Sequence, residues 1–275
     1  MGQEISFPTS NPFNDPTFLS TFKIPSRWQP TFETKSYPSP SIFATLRRAR
    51  IPKPNDFIPL FGDCISVAST RTQEFLVFKD PENKFHPGSE VLTQIFLMTY
   101  ITQSVSLNLI NNFTCTAMTP EQRILLGADW VWALLDKPSK TPKIQIAVQV
   151  LHLHEREEAE DHTCGQETYR ESMQMAQRAS SNRNMHEKMV DFCTSIGKDC
   201  YALFLFFGKK NDRENIYGVL SNNFEAANGK YHRFDRTLIE NFFRGSRYLH
   251  TPSGMMHAII SKRRGDPLTL MIKFS

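Results

Sequence analysis

The stretch FCTSIGKDCYALFLFFG, from Phe192 to Gly208, joins the end of an amphipathic helix to a strand across one tight turn, Ser195-Ile196-Gly197-Lys198-Asp199. Tyr201 to Phe207 is apolar without a break, the pattern of a strand buried on both faces and therefore central in its sheet. Just upstream, Met185, Met189, Phe192, Cys193 and Ile196 recur at helical spacing, and Gly197 is placed for a left-handed cap. A second block, LLGADWVWALL from Leu125 to Leu135, follows a strong helix start. Thr119 stands at the N-cap, Pro120 at the first helical position and Gln122 at the third, a capping box. Carried onward, the stripe Ile124, Leu125, Ala128, Val131, Trp132 and Leu135 predicts one helix that ends at Lys137-Pro138. On such a helix Trp130 and Trp132 stand about 200° apart. Trp132 then belongs to the core, and Trp130 either turns outward beside Asp129 as an interface anchor or joins the core on a wide, fully buried helix.

Outward from these blocks the pattern alternates between helix and strand. Ser89 is placed to cap a helix carrying Val91, Leu92, Ile95, Phe96 and Tyr100. Ile144, Ile146, Val148 and Val150 alternate as in a strand, although Ala147, Val148 and Leu151 also permit a helix. KKNDREN reads as a hairpin loop, with Ile216 to Ser221 returning. Phe234, Leu238, Ile239 and Phe242 suggest a helix. Met255 to Lys262 and Leu268 to Phe274 read as a closing hairpin about Arg263-Arg264-Gly265-Asp266-Pro267. The expected fold is α+β: amphipathic helices packed on a small, mainly antiparallel sheet. It occupies residues 63–275 as a single domain, with a polar surface excursion over 155–183.

Ten of the 17 prolines fall in residues 1–60. Proline at that density blocks helices and removes ladder donors, so residues 1–62 read as a disordered arm rich in Pro, Ser and Thr. The apolar share of 40% suffices for a real core, and no apolar run reaches 18 residues. Nothing therefore reads as a membrane span, and MGQEISFPTSNP lacks the regions of a secretory signal. Five cysteines without a regular framework fit free thiols in a reducing compartment. A net charge of +4 argues little for nucleic acid.

The chemistry-bearing residues do not assemble a reaction site. His152, His154, His162 and Cys164 match no standard zinc spacing and are expected on the surface. Cys193 and Cys200 near His186 would need an exposed thiolate, whereas Cys193 lies on an apolar stripe. No cofactor, metal or small-molecule substrate is expected. Asn11-Pro12-Phe13 is a tripeptide of the kind that EH domains accept: Asn begins a turn, Pro fixes φ and Phe anchors. Arg47, Arg48, Arg50 and Lys53 form a basic stretch that is able to touch anionic lipid.

With VLTQIFLMTYIT (Val91 to Thr102), IQIAVQVLHL (Ile144 to Leu153) and the opening MGQEIS, these blocks make the chain resemble the Rab15 effector family. The likeness runs from about Asp63 to Gly208, weakens beyond, and is missing between Phe7 and Gly62. It implies a non-enzymatic effector that binds a GTP-loaded Rab GTPase of the Rab-15 kind on early or recycling endosomes. It further implies an influence on recycling of receptors of the transferrin receptor type. The expected contact surfaces are the helix faces around Val91 to Tyr100 and Ile124 to Leu135, with Phe96, Tyr100 and Trp130 as anchors. The rival reading is an endocytic scaffold that works through Asn11-Pro12-Phe13.

Gly2 and Ser6 meet the pattern for N-myristoylation after loss of Met1. One myristoyl chain binds bilayers at about 10⁴ M⁻¹, so stable attachment needs a second signal, such as the basic stretch or a prenylated GTPase. Gly2→Ala is accordingly expected to lower the membrane-bound fraction of the protein, measured by fractionation. An unchanged fraction would remove the lipid from the account.

Overall fold

A computed structural model describes residues 56–82, 84–152, 176, 184–209, 212–224, 236–245, 248–263 and 265–275. The proposed lipid at Gly2, Asn11-Pro12-Phe13, the basic stretch Arg47 to Lys53, His154, His162, Cys164, the His152 side chain and Phe234 lie outside them. Six strands among the described residues form one sheet in sequence order. They are β1 (Phe113–Ala117), β2 (Trp130–Leu135), β3 (Pro142–His152), β4 (Cys200–Lys209), β5 (Asp212–Ser221) and β6 (Thr269–Lys273). Neighbours are antiparallel except β3 and β4, which run parallel. A parallel step demands a crossover, and the chain between His152 and Cys200 supplies it.

The sheet is apolar on both faces and covered on both. Tyr201, Leu203, Leu205 and Phe207 of β4 belong to one buried cluster, and Ala202, Phe204 and Phe206 to the other. This is the two-residue period of a strand with no solvent face, as its unbroken apolar run predicted. Helices α1 (Phe57–Leu76) and α2 (Ser89–Ser106) pack on the first face, together with α6 (Pro252–Ser261). On the second face lie α4 (Met185–Ile196) and α5 (Arg236–Gly245), with α3 (Pro120–Leu126) beside α4. The fold is α+β with a mixed, mostly antiparallel sheet, as expected.

The largest correction falls on LLGADWVWALL. The capping box forms as read: Gln122 N–H donates to Thr119 Oγ1, and Thr119 N–H to Gln122 Oε1. The helix nevertheless stops at Leu126, because Gly127 adopts φ 72° and ends it. A Cβ at Gly127 would lie 2.1 Å from the Met185 carbonyl oxygen, so this close approach admits only glycine. Asp129 then fastens the new strand. Its backbone N–H donates to Val148 O at 2.7 Å, and its Oδ2 accepts from Val150 N–H at 2.7 Å. The other carboxylate oxygen pairs with Arg123 Nε at 2.8 Å. In a strand, residues two apart share a face. Trp130 and Trp132 therefore both enter the core, at 0% exposure, rather than splitting between core and solvent.

Four smaller corrections follow from caps and burial. Ordered structure begins by Phe57, upstream of the expected Asp63, because Phe57, Ile58, Phe61, Cys64, Ile65 and Ala68 form a helical core stripe. Pro59 sits in that helix's first turn, where proline is tolerated. The N-cap of α2 is Gly88, with Ser89 already helical. Gly197 takes φ 126° and ψ −172°, a positive φ but not the left-handed cap expected of it. Met255 to Lys262 is no strand. Thr251 caps α6 by accepting from Gly254 N–H at 3.1 Å, with Pro252 at the first position, and β6 pairs with β5 instead.

Phe61, Phe96, Tyr100 and Phe113 close around the two tryptophans. Phe96 stacks on Trp130 at 5.7 Å, and Phe61 and Tyr100 meet Trp132 at 5.4 and 5.2 Å. Tyr100 Oη and Trp130 Nε1 have no hydrogen-bond partner among the described residues, so packing alone holds these rings. Trp130→Ala should therefore cost about 3–5 kcal/mol in chemical denaturation, the scale of a large core deletion. Tyr100→Phe should leave stability unchanged or raise it by about 1 kcal/mol, since it deletes an unsatisfied buried hydroxyl. A loss above about 1 kcal/mol for Tyr100→Phe would mean that the hydroxyl has a partner.

Candidate partner-binding surface

Helix α2 has two apolar faces. Leu92, Phe96 and Tyr100 point into the core, as their fourfold spacing requires. Val91, Met98, Ile101 and Val105 remain exposed, Met98 at 60%. With exposed Gln94 they follow a three-four-three-four spacing. At 100° per residue these five positions occupy an arc of about 80°, on the side away from the core. Glu90 is the sole charged residue of the 18-residue helix. A solvated helix face ordinarily carries charges, and an exposed apolar stripe without them marks a contact surface.

The loop between α1 and α2 adds a second apolar feature. Phe78 and Phe85 are exposed, and their rings meet edge to face with centroids 6.1 Å apart. The Asp80 carboxylate shapes the loop. Its Oδ2 accepts from Lys84 N–H at 2.8 Å and Phe85 N–H at 3.0 Å, and its Oδ1 from Glu82 N–H at 3.2 Å. Hydrogen bonds to the charged form, led by that of Lys84, hold the Asp80 carboxyl below its ordinary range. Two phenyl rings are thus displayed by a preorganised turn on the same helical hairpin as the α2 stripe.

The residues expected to serve as anchors divide differently. Phe96, Tyr100 and Trp130 are each at 0% exposure and cannot meet a partner while the domain is folded. They are corrected here from anchors to core. Of the two helix faces proposed, that of α2 persists through its outward residues. The other dissolves into α3 and β2, leaving Leu125 exposed. The exposed stripe was legible in the sequence as apolar residues flanking the core positions. A single helical period marks only the inward stripe, so that pattern by itself does not set the outward one apart.

The thiol arrangement does not form a nucleophile. Cys193 and Cys200 are both buried, and hydrogen bonding to Cys200 and burial push the Cys193 thiol well up. Burial likewise raises Cys115 to about 12 and Cys64 to about 11. His186 Nδ1 lies 2.5 Å from Gln149 Oε1, and Gln149 Nε2 donates to Gly127 O at 2.6 Å. The histidine braces α4 against the α3 terminus. Among the described residues no group of three or more His, Cys, Asp or Glu side chains is placed to hold a metal, and no helix is long and apolar enough to cross a membrane.

Comparison with known proteins matches the Rab15 effector family over residues 52–269. The Rab15 effector protein of Mus musculus is 26% identical over 204 residues, which cover 73% of this chain and 83% of that protein. The family match starts before the expected Asp63 boundary and runs beyond Gly208 through β5, α5 and α6 to the first residue of β6.

The Asp80 turn is testable through its protonation. Its folded carboxyl lies below the unfolded value of about 4, so its ordering effect is complete above that value. The effect fades as pH falls through the lower folded value. Asp80→Ala should accelerate hydrogen exchange at the Lys84 and Phe85 amides at neutral pH. Unchanged exchange would show that the rings are held by other means.

Proposed function

The chain belongs to the Rab15 effector family, and we propose from this that it is a non-enzymatic effector that recognises the GTP-bound state of a Rab GTPase. The single observation that carries the choice of surface is the uncharged stripe Val91, Met98, Ile101 and Val105 on α2. A Rab in its GTP state presents switch loops ordered by the γ-phosphate; hydrolysis releases them. An apolar ridge on a rigid helix complements such a transient surface, because it offers burial only when the loops are ordered. A standard interface buries about 1,600 Å² in total. That is more than one helix face supplies, so the Phe78–Phe85 pair on the adjoining loop belongs to the same footprint.

In this reading the protein acts at the cytoplasmic face of early or recycling endosomes, with a cytosolic pool, and regulates recycling of receptors of the transferrin receptor type. A myristoyl group on Gly2 and the basic stretch Arg47, Arg48, Arg50 and Lys53 would lengthen its stay at the membrane. Asn11-Pro12-Phe13 would offer EH-domain proteins a separate handle. None of these is needed for GTPase recognition by the domain.

The test is recovery of a panel of Rab GTPases by the full chain, each loaded in turn with GDP and with a non-hydrolysable GTP analogue. Binding of one Rab in the GTP form alone is expected. Met98→Glu with Ile101→Glu should reduce it at least about tenfold, since each introduces a charge into a desolvated contact. Both positions are exposed, so thermal unfolding should be nearly unchanged. Equal recovery in the two nucleotide states would defeat the effector reading. Full binding by the double variant would move the interface off α2.

A further inference from the structure

One end of the sheet gathers positive charge from three separate segments. The pairings Leu135 with Pro142, Gln145 with Cys200, Ala202 with Ser221, and Ser221 with Thr269 place the β2–β3 turn, the start of β4 and the start of β6 together. Lys137, Lys140 and Lys143 come from the first, Lys198 from the second, and Lys262 and Arg263 from the segment leading to β6. Two exposed isoleucines flank them: Ile110 just before β1, and Ile196 at the end of α4. Lys140 Nζ donates to Asn111 O at 3.1 Å, which ties the β2–β3 turn to the segment bearing Ile110.

The local carboxylates do not cancel this charge. Asp199 and Asp266 act on Lys262, whose Nζ also donates to Asp266 O at 2.5 Å and lies 5.1 Å from the Tyr201 ring. Asp136 Oδ2 accepts from Ser139 Oγ, and Asp56 stands at the N-cap of α1. No ion pair engages Lys137, Lys143 or Lys198 among the described residues. On the α1–α2 hairpin, by contrast, Arg71 pairs with Glu74 and Lys84 with Glu82. Around Lys143 and Lys198 the surface opens into a cavity of about 520 Å³, also lined by Gln145, Asp199 and Gly265. Its walls are fixed: Asn222 Nδ2 donates to Lys198 O at 3.0 Å and to Asp266 O at 3.2 Å, and Leu268 N–H donates to Asn222 Oδ1 at 2.8 Å.

We propose that this end of the sheet is a docking face for an anionic bilayer, with the lysines meeting lipid phosphates and Ile110 and Ile196 entering the headgroup layer. Unpaired, exposed lysines flanked by aliphatic side chains match the chemistry of an anionic interface. A nucleic-acid face would instead interleave aromatics among the cations, and here the flanking exposed residues are aliphatic. The point at which the chain enters the domain agrees. Phe57, the first residue of α1, stacks at 6.1 Å on Phe113, the first residue of β1, which pairs with Leu134 near this same end. The start of α1 thus lies near the same end as the lysines.

The experiment is co-sedimentation of the full, unacylated chain with vesicles of phosphatidylcholine, and of phosphatidylcholine with phosphatidylserine. Binding to the anionic vesicles alone, weakening as salt rises, is expected. A basic residue near such a surface is worth roughly a factor of five in binding. Lys137→Glu with Lys143→Glu and Lys198→Glu should therefore weaken it on the order of 100-fold. The milder Lys143→Ala with Lys198→Ala, for use should the charge reversals impair folding, should weaken it roughly tenfold or more. Lys79→Glu with Lys273→Glu, remote from this end, should have little effect. Equal binding to both vesicle types, undiminished binding by the lysine variants, or capture of duplex DNA without vesicle binding would overturn the proposal. Because no GTPase is present, its failure is independent of GTPase recognition.

Discussion

The domain depends on one packing constraint: two tryptophans of β2 must share a face and be covered. Trp130 and Trp132 stand 5.6 Å apart, ring to ring, and Phe61 from α1 and Phe96 and Tyr100 from α2 close over them. Aromatic rings of this size bury 150–250 Å² each, far more than any neighbouring hydrogen bond contributes. Their burial orients the α1–α2 hairpin on the sheet. It also determines which residues of α2 are left outside. Once Leu92, Phe96 and Tyr100 are committed inward, helical geometry sends Val91, Met98, Ile101 and Val105 outward.

The cluster accounts for both the strength of the fold and the location of the exposed apolar stripe proposed as its contact surface. Large apolar residues on both sides of α2 give the helix a core side and an exposed apolar side. The absence of charge beyond Glu90 would be costly to solubility in a free protein, and is reasonable for a surface that is covered in use. The sheet end is built on the opposite logic. There the covering helices terminate, short turns expose backbone and lysines, and the surface is polar with two aliphatic points. The two surfaces differ in chemistry, as the two proposed partners, a protein and a lipid interface, do.

Much of this is legible in the chain itself. The unbroken run Tyr201 to Phe207 announced a central strand because burial on both faces erases alternation. The capping box at Thr119 was legible because it is entirely local, needing only residues three apart. The hinge at Gly127 was not, since a glycine within an apolar stripe is compatible with helix or break. What decides it is the approach of the Met185 carbonyl, 58 positions along the chain. The helix at Pro252 is ambiguous in the sequence for a simpler reason. Thr251-Pro252 is a local start signal, but the apolar residues after it matched a strand equally well.

The sequence by itself determined the α+β class, the central strand, the capped start of α3 and the family, because these rest on local patterns and long ordered blocks. Only the tertiary structure decided which way each aromatic faces. Trp130 and Trp132 diverge on a helix and coincide on a strand, and that choice was made by pairing with β3 and by cover from α1 and α2. The grouping of lysines from distant turns at one sheet end is of the same kind. Strand register brings them together, and no spacing along the chain records it.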